Sequence, residues 1–432
     1  MFCAGAYSPQ ETMTRDELEA FQLTRLKETV RRLGERSAFY REKWARVGFE
    51  AGDLKSLEDL RLLPFVTKQE LRDEQEEHPP FGRLTVTDAA LWREVHPSSG
   101  TTGRSVRTIW TEEDIRHITD FTARFLWAMG IRPGDAIQNA FSYGMWIAGL
   151  AVHYAARKIG GLVIPIGGQA ASHQIDYLRI VRPKALLATP SFGLFVSETL
   201  RREGIAPHEG SLEIGGFGGE AGVELGGTRR RLEEGLGLRA YDFYGLSELA
   251  PTMAGECEAQ TGLHWAEDHF IVEIVDPKTG EAVPEGEIGM LVITHLTREG
   301  TPMVRYATND VARFTRAPCV CGRTHGRSVG GILGRNDDLV VFRGAKFYPT
   351  QVEEVVRALE GFTGEYVVEV KGEGNAPAEV TVVAEATEIT EGARESLRKA
   401  LREALLVSPH VRLAKPGELE RTEFKAKRLI RS

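Results

Sequence analysis

Cysteine is scarce in this chain: four occur in 432 residues, at positions 3, 257, 319 and 321. So few thiols in so long a chain do not make a disulfide framework. There is no excess of positive charge either, with 54 Lys and Arg against 62 Asp and Glu. A sequence-independent grip on nucleic acid needs a basic field, so nucleic acid is not an expected partner. Long hydrophobic runs are missing. The longest mainly apolar stretch, from Met145 to Ala156, contains His153 and falls far short of the roughly 20 residues that span a bilayer. No membrane association is expected. The first residues, MFCAGAYSPQE, lack a basic stretch followed by an apolar one, so no secretory signal is read and the expected compartment is the cytoplasm. Internal repeats and low-complexity tracts are also lacking.

What is present describes an ordinary globular enzyme-sized chain. Hydrophobic residues make up 42% and charged residues 27%, which excludes disorder as the main state. The length exceeds the usual ceiling for one core and implies at least two domains. Leu18, Phe21, Leu26, Val30 and Leu33 recur at near-helical spacing, and Leu62-Leu63-Pro64-Phe65 ends that pattern. A segment rich in turn signals then runs to Ser98. Beyond residue 106, short β-prone runs such as Leu162-Val163-Ile164-Pro165-Ile166 and Ala185-Leu186-Leu187-Ala188 alternate with helical stretches, which predicts α/β layering. Ile271 to Val275 and Leu291 to Ile293 read as later strands. The turn Asp276-Pro277-Lys278-Thr279-Gly280 between them predicts an antiparallel meander. From residue 336 the order is helix (Val352, Val355, Val356, Leu359), strand (366–370), strand (380–383) and helix (Leu397, Leu401, Leu405). The expected fold is therefore α/β: a large multi-layer α/β domain over 1–335 and a small α+β domain over 336–432.

Several short motifs carry candidate chemistry. Ser98-Ser99-Gly100-Thr101-Thr102-Gly103 combines two glycines with four hydroxyls, which suits a backbone loop closing on a polyphosphate. It lacks the spacing and ending of a Walker A loop. Glu248, at the end of Tyr244-Gly245-Leu246-Ser247-Glu248, is a lone carboxylate of the kind that holds Mg²⁺ beside phosphates. Asp310, closing Tyr306-Ala307-Thr308-Asn309-Asp310, suits a pair of ribose hydroxyls. Gly334-Arg335-Asn336-Asp337-Asp338 joins the two expected domains and reads as a hinge. Taken singly, each of these also fits a polar loop or turn. Cys257, His264, Cys319 and Cys321 make a Cys-x₆-His…Cys-x-Cys set, and three thiolates with one imidazole are a closed tetrahedral zinc shell. His269 and His325 are alternative nitrogen donors.

The order of these elements, with the tail Thr422-Glu423-Phe424-Lys425-Ala426-Lys427, resembles the adenylate-forming superfamily. Within it the chain resembles the phenylacetate–CoA ligases, essentially end to end. Ser37-Ala38-Phe39-Tyr40-Arg41, Leu63-Pro64-Phe65 with Thr67-Lys68 and Leu71-Arg72, and Pro80-Phe81-Gly82 carry the resemblance early in the chain. His264-Trp265-Ala266-Glu267-Asp268-His269, Leu296-Thr297-Arg298-Glu299 and Arg343-Gly344-Ala345-Lys346-Phe347-Tyr348-Pro349 carry it later. The resemblance implies a two-step reaction in which an acid attacks the α-phosphorus of ATP and the resulting acyl-AMP passes to CoA. It implies that Ser98, Ser99, Gly100, Thr101, Thr102 and Gly103 cover the phosphates and that Glu248 binds Mg²⁺. It also implies that Gly219, Glu220, Tyr244, Gly245 and Ser247 form the nucleotide pocket, that Asp310 binds ribose, and that Arg335 contacts ribose or phosphate. Asp337 would be the hinge, and Lys425 would bridge the acyl carboxylate and α-phosphate, with Lys427 as a rival. Phe424 departs from the glycine usual before the tail lysine, and Lys346 departs from the neutral residue usual in its loop.

In the family, the segment corresponding to Asn139-Ala140-Phe141-Ser142-Tyr143-Gly144-Met145-Trp146 lines the acid pocket, so Phe141, Tyr143 and Trp146 are the expected walls for a flat aryl group. Core packing accounts for any one of them equally well. A subset of the family also carries a structural zinc on a similar Cys/His pattern. The expected partners are a small aryl acid, ATP and CoA, and a homodimer is left open because no heptad or extended patch demands one. Two other functions fit the same motifs: an aryl-acid adenylating enzyme that passes the acyl group to an amine or a carrier protein, and a zinc-stapled ligand-binding protein without turnover.

Overall fold

The computed structural model describes residues 5–98, 104–207, 210–343, 345–372, 379–419 and 428–432. An 11-stranded sheet organises the larger part of the chain. Its parallel half is built from Arg239–Leu246, Ile214–Gly218, Ala185–Ala188, Ala136–Asn139 and Leu162–Ile164, in that spatial order. Ala185–Ala188 is buried at every position, as expected of a parallel strand covered by helices on both faces. The Thr189-Pro190 pair that ends it starts the helix Pro190–Arg202: the Thr189 side chain accepts from the Phe192 amide, and proline takes the first turn. The helix Ile147–Ile159 ends at Gly160 with φ 92°, a left-handed cap that glycine adopts without strain.

The other half of the sheet is antiparallel. Phe270–Val275 pairs with Ile288–His295 in the register Phe270↔His295 to Val275↔Met290. This is the meander predicted from the 276–280 turn, where the Asp276 carboxylate accepts the amides of Lys278 and Thr279. Tyr306–Thr315 and Arg327–Arg335 follow in the same sheet. The N-terminal helices Arg15–Arg36 and Ala38–Ala45 are capped by Thr14 and Ser37. They pack Leu26, Val30, Leu33 and Trp44 into the main core.

One element differs from expectation. The turn-rich stretch before Ser98 contains the helix Lys68–Glu77, opened by a capping box in which Thr67 and Glu70 satisfy each other's backbone amides. Val66, just before it, bridges to Tyr306 and ties the helix to the central sheet.

Past residue 335 a second hydrophobic cluster begins. It runs from Val340 to Leu413 and packs a four-stranded sheet, ordered His410–Ala414, Glu379–Ala386, Phe362–Lys371, Leu429–Arg431, against the helices Pro349–Ala358 and Glu391–Leu405. Leu397, Leu401 and Leu405 are the buried face of the second helix, and full burial of such a side chain stabilises by roughly 1.5–3 kcal/mol. Among the described residues, no helix is long and apolar enough to cross a membrane.

Candidate active site and metal centre

Between the large sheet and the small domain lies a cleft of about 2260 Å³. That exceeds the 300–1,000 Å³ or so of a pocket for one drug-sized ligand, so two reactants fit together. Its polar end is assembled from strand ends. Tyr244, near the end of Arg239–Leu246, donates its hydroxyl to Asp310 Oδ2 at 2.5 Å. Burial first, and then the Asp310 charge, push the Tyr244 hydroxyl well above its ordinary pKa, so it stays a donor. Asp310 stands opposite Arg335 in the antiparallel register, and Arg335 Nη1 donates to its Oδ1 at 3.3 Å. The same guanidinium forks onto both oxygens of Asp337 at 2.9 Å each. Burial works against that charge, but Asp337 and Asp310 outweigh it and hold the guanidinium protonated. Asp337 sits in the short turn Asn336–Asp338 that leads into the small domain.

Glu248 is 3% exposed. Its Oε1 accepts from Tyr306 Oη at 3.3 Å and from Lys68 Nζ at 2.6 Å. Lys68 is the first residue of the unexpected helix, and it lines the cleft. The rest of that helix holds the residues on the C-terminal side of the 99–103 segment. Arg72 Nε donates to the Arg104 carbonyl at 3.0 Å, and Gln75 binds Arg107 both ways, accepting from its amide and donating to its carbonyl. Ser98 closes the base of the loop: its amide donates to the Val106 carbonyl and its hydroxyl accepts from the Val106 amide. Ser99, Gly100, Thr101, Thr102 and Gly103 lie outside the described residues, as do Lys425 and Lys427.

Gly219, Glu220, Gly245 and Ser247 all face the same cleft. A Cβ on Gly245 would come within 2.1 Å of the Pro251 carbonyl oxygen, so that backbone approach needs glycine. Glu220 also accepts from the Ser191 amide at 2.7 Å, at the positive N-terminus of Pro190–Arg202. Burial nonetheless raises its pKa above the usual carboxylate value.

The far end of the cleft is apolar. Phe141 and Trp146 line it together with Ile147, Phe192 and Phe243, and the rings of Phe141 and Phe243 meet edge to face at 5.6 Å. Tyr143 is not among the cleft-lining residues. Its hydroxyl accepts from Asn139 Nδ2 at 2.8 Å and meets His153 Nδ1 at 3.1 Å.

A second cluster lies away from this cleft. Cys257, His264, Cys319 and Cys321 bring their ligand atoms within 4.8 Å of one another. Cys257 Sγ is 3.9 Å from Cys319 Sγ, and Cys321 Sγ is 3.4 Å from His264 Nε2. A tetrahedral zinc with ordinary bond lengths has S···S edges of about 3.8 Å and S···N edges of about 3.5 Å. The imidazole's other nitrogen, Nδ1, lies 3.3 Å from the His325 carbonyl oxygen, the partner that leaves Nε2 turned toward the thiols. His269 is elsewhere, with Nδ1 on the Thr297 hydroxyl at 2.8 Å.

An aspartate held by a tyrosine and an arginine, a buried carboxylate beside a lysine and a glycine-permitted close turn thus share one interdomain cleft with apolar side chains, and comparison with known proteins gives the class to which this arrangement belongs, the adenylate-forming acid–CoA ligases. Residues 344–432 match the AMP-binding enzyme C-terminal domain family. The solved structure of 2-hydroxyisobutyryl-CoA ligase in the postadenylation state, in complex with 2-HIB-AMP, is 31% identical over 98% of this chain and 91% of its own, with a TM-score of 0.93. The same ligase in complex with 2-HIB-AMP and CoA in the thioesterification state covers the same share of this chain and of its own at 32% identity, but with a TM-score of 0.75. The phenylacetate-coenzyme A ligase of Thermus thermophilus is 38% identical over 96% of this chain and 97% of its own. The chain belongs to the phenylacetate–CoA ligase family and is an AMP-forming acid–CoA ligase.

Proposed function

We propose that the acid is an aryl or arylacetic acid, with phenylacetate as the default substrate. The observation that carries this reading is the apolar, aromatic end of the cleft, where Phe141, Trp146 and Phe243 adjoin the polar Tyr244–Asp310 end. A flat ring packs against such walls, while its carboxylate faces the nucleotide. In the first step a carboxylate oxygen attacks the α-phosphorus and pyrophosphate leaves. In the second, the CoA thiolate attacks the acyl carbon and AMP leaves. Asp310 holds the ribose hydroxyls, oriented by Tyr244 and Arg335. The loop 98–103 covers the phosphates, with its base closed at Ser98. Lys425 supplies a cation between the two anionic reactants. Residues 1–335 are the adenylation domain, 336–432 the mobile lid, and Asp337 the hinge between them.

Glu248 is a hard anionic oxygen donor facing the cleft, and it fits Mg²⁺. Bound there, the ion would offset negative charge on the phosphates. Lys68, paired with Glu248 now, provides a second positive charge at the same end of the cleft. Structural zinc is supported by the four-ligand geometry of Cys257, His264, Cys319 and Cys321, which leaves no ligand position for water and so no part in the reaction. It would tie the strand Leu263–Trp265 to the loop before Arg327–Arg335.

The test is pyrophosphate release with ATP, Mg²⁺ and a panel of aryl acids, each with and without CoA. Acid-dependent release together with an aryl- or arylacetyl-CoA product supports the proposal. Turnover of short aliphatic acids alone would overturn the aryl assignment, and release indifferent to CoA would point to another acceptor.

A further inference from the structure

We propose that Arg231 is a positioning residue for the adenylation half-reaction, acting as a clasp that holds the small domain in the arrangement of that step. Arg231 stands on the large-domain helix Gly226–Leu236. Its guanidinium reaches across the domain boundary to three backbone carbonyls of the small domain: Nε to Arg357 at 2.9 Å, Nη1 to Thr363 at 2.7 Å and Nη2 to Phe362 at 2.9 Å. Arg230 adds the Ala358 carbonyl at 3.3 Å. The carbonyls of Arg357 and Ala358 end the helix Pro349–Ala358, where they lack partners within the helix and where the dipole favours a cation.

The exchange is reciprocal. Arg357, buried in the small domain's contact face, reaches back to the Thr228 hydroxyl at 2.6 Å while keeping Glu353 as its ion partner. Gly227 lets the two surfaces meet: a Cβ there would lie 3.1 Å from the Ala358 nitrogen and from the Arg357 carbonyl carbon. The bonds of Arg230 and Arg231 and the Arg357–Thr228 bond all span the boundary, so rotation of the small domain breaks them together. The domain arrangement matches a relative's postadenylation state more closely than its thioesterification state, with TM-scores of 0.93 and 0.75 at equal coverage. In this arrangement Thr350, Glu353 and Tyr366 of the small domain line the cleft. The clasp therefore completes the cleft for the first step and must open for the second. A ligand that favours one of two arrangements shifts their populations only by its differential interaction, and the same holds for a side chain.

The proposal rests on the two-step ligase reading, and measuring the half-reactions separately keeps the two distinguishable. The probes are phenylacetate with ATP and Mg²⁺ for pyrophosphate release without CoA, and supplied phenylacetyl-adenylate with CoA for thioester formation. Arg231→Ala is expected to slow the first by about tenfold or more and to leave the second within about twofold. Arg231→Lys, which keeps the charge with fewer directed donors, should fall between. Gly227→Leu retains the guanidinium but wedges the interface, and leucine favours the helix it sits in; it should show the same selective loss. Equal losses in both half-reactions, an unchanged first half-reaction, or a loss confined to the second with a raised KM for CoA would each overturn the clasp. Gly227→Leu at full adenylation rate beside a slow Arg231→Ala would also overturn it, since the loss would then not come from docking. An unaltered chain inactive in both half-reactions would overturn the proposed phenylacetate substrate on which this test rests, a result unlike any of the others.

Discussion

Asp310→Asn isolates the proposed ribose contact with little change of shape. In the folded protein Asp310 Oδ2 takes the Tyr244 hydroxyl at 2.5 Å and Oδ1 takes Arg335 at 3.3 Å. The amide keeps one carbonyl acceptor and turns the other position into a donor. Facing Arg335, that donor would meet donors; facing Tyr244, it meets a hydroxyl that can reverse its role. The second orientation wins, so the variant keeps its fold but loses the charge behind both ribose contacts. Hydrogen bonds to charged groups contribute about 1.5–3 kcal/mol and neutral ones about 0.5–1.5 kcal/mol. Two weakened contacts then cost roughly 2–3 kcal/mol, or roughly 30- to 150-fold in kcat/KM for ATP. The assay compares ATP with 2′-deoxy-ATP and 3′-deoxy-ATP in acid-dependent pyrophosphate release, for both proteins. The unaltered enzyme should discriminate against each analogue by about tenfold or more, and the variant by much less, the coupling expected of groups in direct contact. An Asp310→Asn enzyme that discriminates as strongly as the unaltered one would refute the ribose assignment, whatever its rate.

Replacing Lys68 by Met removes the cation beside Glu248; pyrophosphate release should fall by about 10- to 100-fold, the value of one hydrogen bond to a charged group, while thioester formation from supplied acyl-adenylate stays intact. Parallel losses in both assays would make Lys68 structural. For the metal centre, elemental analysis should give one zinc per chain and close to none in Cys319→Ser. Cys257 and Cys319 are 62 residues apart, so opening that closure should cost about 4 kcal/mol by the chain-entropy relation, read as a lowered urea midpoint. Full stability in a zinc-free protein would contradict the staple. Acid stability should follow His269, whose imidazole burial pushes down from 6.5 to about 3. Below pH 6.5 the unfolded chain takes up a proton that the native state refuses, so stability is lost as pH falls toward 3, at about 1.4 kcal/mol per pH unit. Between pH 7 and pH 5 this one group should account for about 2 kcal/mol, and His269→Gln should lose that much less over the same interval in urea titrations; an unchanged pH dependence would show that the burden lies on other groups.

The parts of the structure that could be read in advance are those where one local rule decides the outcome. Ala185–Ala188 is apolar throughout because both its faces are covered, and the Thr-Pro pair that closes it is also the cap of the next helix. The four residues of the Cys/His cluster stood out because cysteine is so rare here that three of the four thiols fall in one spacing pattern. The helix Lys68–Glu77 was hidden for the opposite reason. Of its ten residues only Leu71, Glu74 and Gln75 are buried, so there is no apolar stripe to count. Its place is set by distant contacts, Glu74 to Arg83 and Gln75 to Arg107. The capping box from Thr67 to Glu70 was the one local signal, and it could have been read. The aromatic cluster 141–146 was hard to read for another reason. Its side chains leave an irregular turn between Asn139 and the helix that starts at Ile147, where no periodicity assigns faces, and Tyr143 went to His153 while Phe141 and Trp146 went to the cleft.

Arg229, Arg230 and Arg231 show how little composition says about what a charge does. The three are consecutive on one helix, about 100° apart around its axis. Arg229 turns inward and forks onto Glu256 with contacts of 2.9–3.0 Å, inside the large domain. Arg230 and Arg231 turn outward onto small-domain carbonyls. The first arginine and its partner both lie in the large domain. The partners of the other two lie in the small domain, so under the proposed rotation these bonds break. Arg335 stands at the same boundary from the other side, bonded at once to Asp310, the proposed ribose ligand, and to Asp337 in the turn proposed as the hinge. Under the proposed roles of Asp310 and Asp337, occupation of the pocket bears on the hinge through a single guanidinium, and the docking of the small domain bears on it through another. Both are arginines bound by several directed hydrogen bonds, and a rotation that breaks several directed bonds together moves between two discrete states instead of drifting between them.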